Sequence, residues 1–207
     1  MAKARGGVVS DLDLAGRSIA HLCVDMQRMF AEDTEWRTPW MDRVLPIVAE
    51  IAQRHGEATV YTRFIPPETP DDAPGAWKAY YDRWSSFTRR RLDPGLLELV
   101  EPLRSWAEPS QILDKAYFSP FSRTRLHQKL KERGVDTLVV TGAETDVCVL
   151  AAVLSAVDLG YLVVLPKDAL CSSSDETHDA LLSLYARRFS QQVILSNTES
   201  ILSAWRK

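Results

Sequence analysis

The sequence predicts an α/β fold: a three-layer, doubly wound sheet of mostly parallel strands with helices on both faces. Two observations carry this reading. Short runs whose apolar residues are contiguous rather than alternating are spaced by amphipathic stretches, the pattern of strands buried on both faces. The chain has 207 residues, 45% hydrophobic and 26% charged. That length supports one sizeable core and is short for two, so residues 1–207 are expected to form one domain, with 1–16 as an N-terminal extension.

The elements follow in order. "SIAHLCVD" (18–25) is a short apolar run ending in an acid, and a helix is predicted from Met41 to His55. "EATVYT" (57–62) is the second strand; an irregular excursion over 64–95, rich in proline and aromatics, holds one helix near 75–90. A helix near 95–104 precedes the strand "QILD" (111–114), and another runs from Ser122 to Arg133, closed by Gly134 at a natural C′ position. "VDTLVVTG" (135–142) is the fourth strand, followed by a helix over Thr145–Leu159, with Thr145 or Asp146 as its cap and Gly160 as its stop. "YLVVLP" (161–166), a helix over Asp175–Arg188 and the sixth strand "QQVILS" (191–196) complete the set.

Composition excludes several classes. A net charge of −3 and a pI near 5.8 argue against a nucleic-acid partner. The basic run Arg89–Arg91 reads as a solvated helix face. No apolar run follows the early positive charges, so no signal peptide is expected, and the stretch Val147–Leu165 is broken by Asp158 and Gly160, so no membrane span is expected either. Three cysteines, Cys23, Cys148 and Cys171, fit free thiols in a reducing cytoplasm. His21, His55, His127 and His178 are scattered without metal spacing, and no G-x-G-x-x-G or phosphate loop follows any strand. Neither a metal nor a cofactor is expected.

In doubly wound sheets the site lies beyond the C-terminal strand ends, near the switch point. Three reactive residues fall there: Asp25 closes the first strand, Lys115 follows the third, and Cys148 lies just past the fourth. Each alone has an ordinary structural reading, as a turn former, a solvated cation and a small buried apolar residue. Together they make a base, a cation and a nucleophile. Asp25 would take the thiol proton, and Lys115 would stabilise the negative charge. The N–H groups at the start of the following helix would add partial positive charge and oxyanion donors. Against this, Glu144 and Asp146 stand close to the sulfur in sequence, and local negative charge dulls a thiol.

The segments "VDMQRMF", "KAYFSPFSRTRL" and "VVTGAETDVCVLAAVLSAVDLGYLVVLPKDAL" carry a resemblance. They fit the patterns D-x-Q-x-x-F, K-x-x-Y/F-S-x-F-x-x-T-x-L and G-x-x-T-x-x-C-V, so the chain resembles the isochorismatase-like cysteine hydrolase superfamily from Ile19 to about Ile194. The resemblance implies six strands in the order 3-2-1-4-5-6 and an Asp–Lys–Cys triad on Asp25, Lys115 and Cys148. It also implies a non-proline cis peptide at Ala143–Glu144, bringing the N–H groups of Glu144 and Cys148 together as an oxyanion hole. Gln27 and Phe30 fall on family positions near the acid and count among the substrate-pocket candidates with Trp36 and Trp84, Gln27 in a structural rather than a chemical part.

Members related to nicotinamidase bind a metal through an Asp and histidines after the second strand; "YTRFIPPETPDD" has no histidine, and Asp71 and Asp72 read as loop surface. Cys148 disfavours the vinyl-ether chemistry of true isochorismatases, which lack that cysteine. What remains is hydrolysis of a small-molecule amide, carbamoyl, ureido or lactam C–N bond. The alternatives are a vinyl-ether or ester hydrolase using Asp25 and Lys115, and a non-catalytic interaction module.

Trp36, Trp40, Trp77, Trp84, Tyr80, Tyr81 and Phe87 crowd two irregular segments and suit either a pocket or a subunit interface. Phe118 is a pocket candidate, and Arg63 stands where it would grip a carboxylate or simply face solvent. A Glu144 side chain turned into the pocket would select a cationic or hydrogen-bond-donating substrate. The helix carrying Cys148 is apolar nearly all round, which with the family's habit implies a homodimer or homotetramer.

Overall fold

One parallel sheet of seven strands organises the computed structural model, which describes residues 12–206. Residues 1–11 of the expected N-terminal extension lie outside the described residues. The strands are β1 (Ile19–Val24), β2 (Thr59–Phe64), β3 (Ile112–Lys115), β4 (Thr137–Ala143), β5 (Leu162–Pro166), β6 (Leu170–Cys171) and β7 (Val193–Ser196). They lie in the order β3-β2-β1-β4-β5-β7, with β6 pairing on β4. The sixth predicted strand is β7, so the expected path is present. The addition is β6, two residues too short to leave a sequence pattern, which pairs with Gly142 and Ala143.

Contiguous apolar runs form these strands because both faces are covered. In β1, Ala20, Leu22 and Val24 point into one core and Cys23 into the other, as the two-residue period requires. The helices are α1 (Arg28–Ala31), α2 (Met41–Arg54), α3 (Ala76–Arg83), α4 (Leu103–Trp106), α5 (Leu126–Glu132), α6 (Cys148–Asp158), α7 (Asp175–Arg188) and α8 (Thr198–Ala204). α2 buries Met41, Val44, Val48 and Ile51, a helical stripe, on the Cys23 side. α6 buries Val149, Ala152, Val153 and Ala156 on the opposite side, where small alanines permit close approach to β4.

Three sequence expectations shift for identifiable reasons. The helix predicted near 95–104 is broken: Leu99 forms an antiparallel bridge with Gln27, and Val100 N–H donates to Met26 O at 2.9 Å. Tertiary pairing there outweighs local propensity, leaving a short 3-10 turn (Pro94–Leu97) and α4. The helix near 75–90 stops at Arg83, and Arg89–Arg91 are exposed in a turn rather than on a helix. The helix after β4 begins at Cys148, with Val147 in the N-cap position and no side-chain cap. Thr145 and Asp146 are therefore not caps; they tie the turn to neighbouring elements. No helix among the described residues is long and apolar enough to cross a membrane.

Candidate active site

Register brings the three reactive residues to one rim. Val24 pairs with Gly142 across β1 and β4, and Phe64 with Lys115 across β2 and β3, so all four strands end together. The β1–β4 approach is tightest at this edge. Gly142 has φ +104, and a Cβ there would stand 2.1 Å from Val24 O. Asp25 leaves β1 at φ 49, in the left-handed region that few non-glycine residues adopt. Thr62 on β2 holds it: the Thr62 hydroxyl donates to Asp25 Oδ1 at 2.5 Å and accepts from Asp25 N–H at 3.1 Å. Sequence reasoning missed Thr62. The run Thr59–Phe64 also holds Thr59, Tyr61 and Arg63, so nothing local marks Thr62 out.

Lys115 is the centre of the cluster. Its Nζ lies 2.7 Å from Asp25 Oδ2, donates to Cys148 Sγ at 3.4 Å and to Tyr117 O at 3.2 Å, and sits 4.9 Å from the Phe64 ring centroid. The ion pair is fully buried, with side-chain exposures of 0% and 1%. Burial, the largest influence, pulls the ammonium down, but Asp25 and Cys148 more than offset it and hold it above the ordinary lysine range. The cation stays charged where an unpaired one would be lost.

Cys148 opens α6, so its N–H is one of the orphan donors of a helix start. Burial pushes its thiol well above the usual range; Lys115 opposes this and Asp25 reinforces it. The preceding turn contains a cis peptide at Ala143–Glu144. The Thr145 hydroxyl donates to Cys171 O at 3.1 Å and lies 2.9 Å from His178 Nδ1. The Asp146 carboxylate accepts from the hydroxyls of Ser172 and Thr177. β6 and α7 thus clamp the turn that carries the sulfur.

A cavity of about 730 Å³ opens over Cys148. Phe30, Trp36, Trp84 and Phe118, all predicted for it, line it together with Tyr80 and Phe64. Trp36 is the hub, stacked on Phe87 at 3.7 Å and edge-on to Trp84 at 6.0 Å. The crowded aromatics therefore divide: Tyr81 and Phe87 are core, Trp40 packs on His178, and Trp77 packs against Tyr117 and Phe118. Leu150, Ala151 and Leu154 of the cysteine helix, with Val147 just before it, also line the cavity.

Two pocket candidates lie elsewhere. Gln27 is fully buried and bonded on both ends of its amide: Oε1 accepts from Phe64 N–H at 2.6 Å, and Nε2 donates to Leu97 O at 2.8 Å and Phe64 O at 3.2 Å. It staples the backbone behind the site and does not line the cavity. Arg63 grips carboxylates, but those of the protein itself, bidentate to Asp114 at 2.7 and 2.9 Å and to Glu98 at 3.3 Å. Glu144 does line the cavity, with Oε1 accepting from Ser173 N–H at 3.0 Å. Glu35 and Ser173, which sequence reasoning passed over, line it too.

Comparison with known proteins adds to this geometry. A segment of 81 residues is 36% identical to an uncharacterized isochorismatase family protein, PncA, of Bacillus subtilis, covering 39% of this chain and 44% of that one. A segment of 142 residues is 28% identical to maleamate amidohydrolase of Pseudomonas putida, covering 64% and 60%. The chain thus spans less than two thirds of the length of either. Among solved structures, pyrazinamidase of Pyrococcus horikoshii in complex with zinc superposes with a TM-score of 0.70 at 26% identity, over 86% of this chain and 98% of that one.

Among the described residues no three His, Cys, Asp or Glu side chains are grouped to hold a metal ion. After β2, Asp71 is paired with Lys78 and Asp72 accepts from Thr69. The sequence profile of the Isochorismatase domain matches residues 19–198, from β1 to the first residue of α8, and the chain belongs to the isochorismatase family.

Proposed function

We propose that the chain is a cysteine-dependent hydrolase of a small-molecule C–N bond, an amide, carbamoyl, ureido or lactam, working through a thioester on Cys148. The supporting observation is the buried chain of contacts from Asp25 through Lys115 to the Cys148 sulfur at the foot of an aromatic cavity. The names of the relatives, an amidohydrolase and a pyrazinamidase, point to the same reaction class.

At rest Cys148 is a thiol, because burial holds its pKa high. As the sulfur attacks the carbonyl carbon, Asp25 takes the proton and Lys115 stabilises the charge left on the site. The N–H groups of Cys148 and Glu144 receive the oxyanion. Asp25 then returns the proton to the leaving nitrogen as the C–N bond breaks. A water that gives its proton to Asp25 attacks the thioester, and the proton passes to the departing sulfur.

The test is ammonia release across a panel of amides, ureas and lactams. Cys148→Ala is expected to abolish turnover with the fold intact, and intact mass during turnover should show an acyl adduct on the parent chain. Full activity in Cys148→Ala on the best substrate would refute the thioester.

A further inference from the structure

The cavity over Cys148 has a charge bias that the hydrolytic chemistry does not require. Three acidic residues line it, Glu35, Glu144 and Asp146, and no Lys, Arg or His is among the lining residues. The Lys115 ammonium at its foot is matched by Asp25 and does not offset them. Asp146 spends both oxygens on the hydroxyls of Ser172 and Thr177, and Glu35 accepts from Ser86. Glu144 belongs to the same turn as Cys148. Burial, the largest influence, raises its carboxyl above the ordinary range; Ser173, whose N–H donates to Oε1 at 3.0 Å, opposes this, and the charge of Asp146 adds a smaller rise. A carboxylate in that setting gains most from a counter-charge supplied by a ligand.

The walls point the same way by independent chemistry. Trp36, Tyr80, Trp84, Phe64 and Phe118 enclose the space, and indole and phenol faces attract cations. Tyr80 lines the same cavity as Cys148 and Glu144, and burial, the largest influence, pushes its hydroxyl up to about 12. It remains a neutral ring and a hydrogen-bonding hydroxyl at physiological pH. Trp84 already carries one such contact, with Arg83, which does not line the cavity, 5.1 Å from its ring centroid.

Given the Cys148 chemistry proposed above, we infer that the acyl part of the substrate carries a positive charge, seated among the aromatic rings and paired with the Glu144 carboxylate. Glu144 then has two separate duties: its N–H faces the oxyanion, and its side chain selects the substrate. A carboxylated amide of the same shape would bring like charges together in a site of low polarity and is rejected.

Binding separates this inference from the chemistry. In a Cys148→Ala background, which holds ligands without turning them over, the intrinsic tryptophan fluorescence is titrated with para-(aminomethyl)benzamide, para-methylbenzamide and para-carboxybenzamide. The cationic probe should bind at least about tenfold more tightly than the neutral one, the scale of one desolvated cation–π contact plus one ion pair, and the anionic probe most weakly. Adding Glu144→Gln should shrink the cation-to-neutral ratio several-fold and improve binding of the anion. Equal or better binding of the neutral or anionic probe, binding of none of the three, or a ratio untouched by Glu144→Gln would overturn the inference. Ammonia release by the Cys148-bearing chain is read separately. Selective binding without release would sink the thioester reading and leave the charge preference standing, whereas release without selectivity would do the reverse.

Discussion

At the scale of single residues, the Cys148 thiol feels opposite pulls. Its burial and Asp25 favour the protonated form, while Lys115 favours the thiolate, and burial is the largest of the three. The local acids that looked like the dulling influence in the sequence act elsewhere: Asp146 is bonded to Ser172 and Thr177, and Glu144 to Ser173. In the proposed mechanism deprotonation is therefore a task for Asp25 during attack, and two effects of one mutation can be separated. Asp25→Asn removes the charge and the acceptor that raise the thiol, so the pH midpoint of iodoacetamide modification of Cys148 should move down. Turnover should nevertheless fall about a hundredfold or more, because the proposed proton acceptor is gone. Retained turnover, or a midpoint moving up, would contradict the assignment. The variant also leaves the buried Lys115 ammonium without its carboxylate, which costs roughly 3–5 kcal/mol, so folding is checked alongside. Asp25, Lys115 and Cys148 were legible in the sequence because each follows a strand. Thr62 was not, since its role depends on lying opposite Asp25 across two strands.

At the scale of elements, the rim is built by the close approach of β1 and β4. Gly142 combines a left-handed φ with a gap that admits no side chain, as a Cβ would overlap Val24 O. Gly142→Ala should therefore destabilise the fold by about 2–6 kcal/mol, adding positive-φ strain to overpacking. Urea unfolding measures this; a loss under 1 kcal/mol would mean that the edge repacks freely. α2, with its strong apolar stripe, and α7, which opens on the Ser174 cap, stood within a residue or so of their predicted bounds. The segment near Leu99 was misread because its partner, Gln27, lies far away in sequence, and period alone cannot report a long-range bridge. The start of α6 was placed three residues early for a related reason: Thr145 and Asp146 have the chemistry of caps, but β6 and α7 claim their side chains.

At the scale of the whole molecule, three strands share a polar seam through the core. The His21 ring in β1 lies 3.2 Å from Thr59 Oγ1 in β2 and 2.8 Å from Thr141 Oγ1 in β4. Burial, with a smaller effect of His55, lowers its pKa to about 3, so the folded chain holds it neutral. Unfolding restores the ordinary value near 6.5, and between these limits the unfolded state binds more protons. Stability from this residue is complete above pH 6.5 and is lost at up to about 1.4 kcal/mol per pH unit as pH falls toward 3. A His21→Gln variant should show a shallower decline of unfolding free energy between pH 6 and pH 4; an identical slope would assign the dependence to other groups.

The sequence by itself determined the sheet, its covering helices and which strand ends carry an acid, a cation and a thiol, because hydrophobic period and position after a strand are local properties. It also determined the family, through motifs that lie on those same ends. Only the tertiary structure decided that Gln27 and Arg63 are spent on the protein's own backbone and carboxylates. Likewise it decided that Trp36 and Trp84 line the cavity over Cys148 while Tyr81 and Phe87 fill the core, and that Glu144, bonded through its carboxylate to Ser173, is a cavity residue. The direction of a side chain from a loop depends on which distant element claims its polar atoms first, and that competition leaves no periodic trace in the chain.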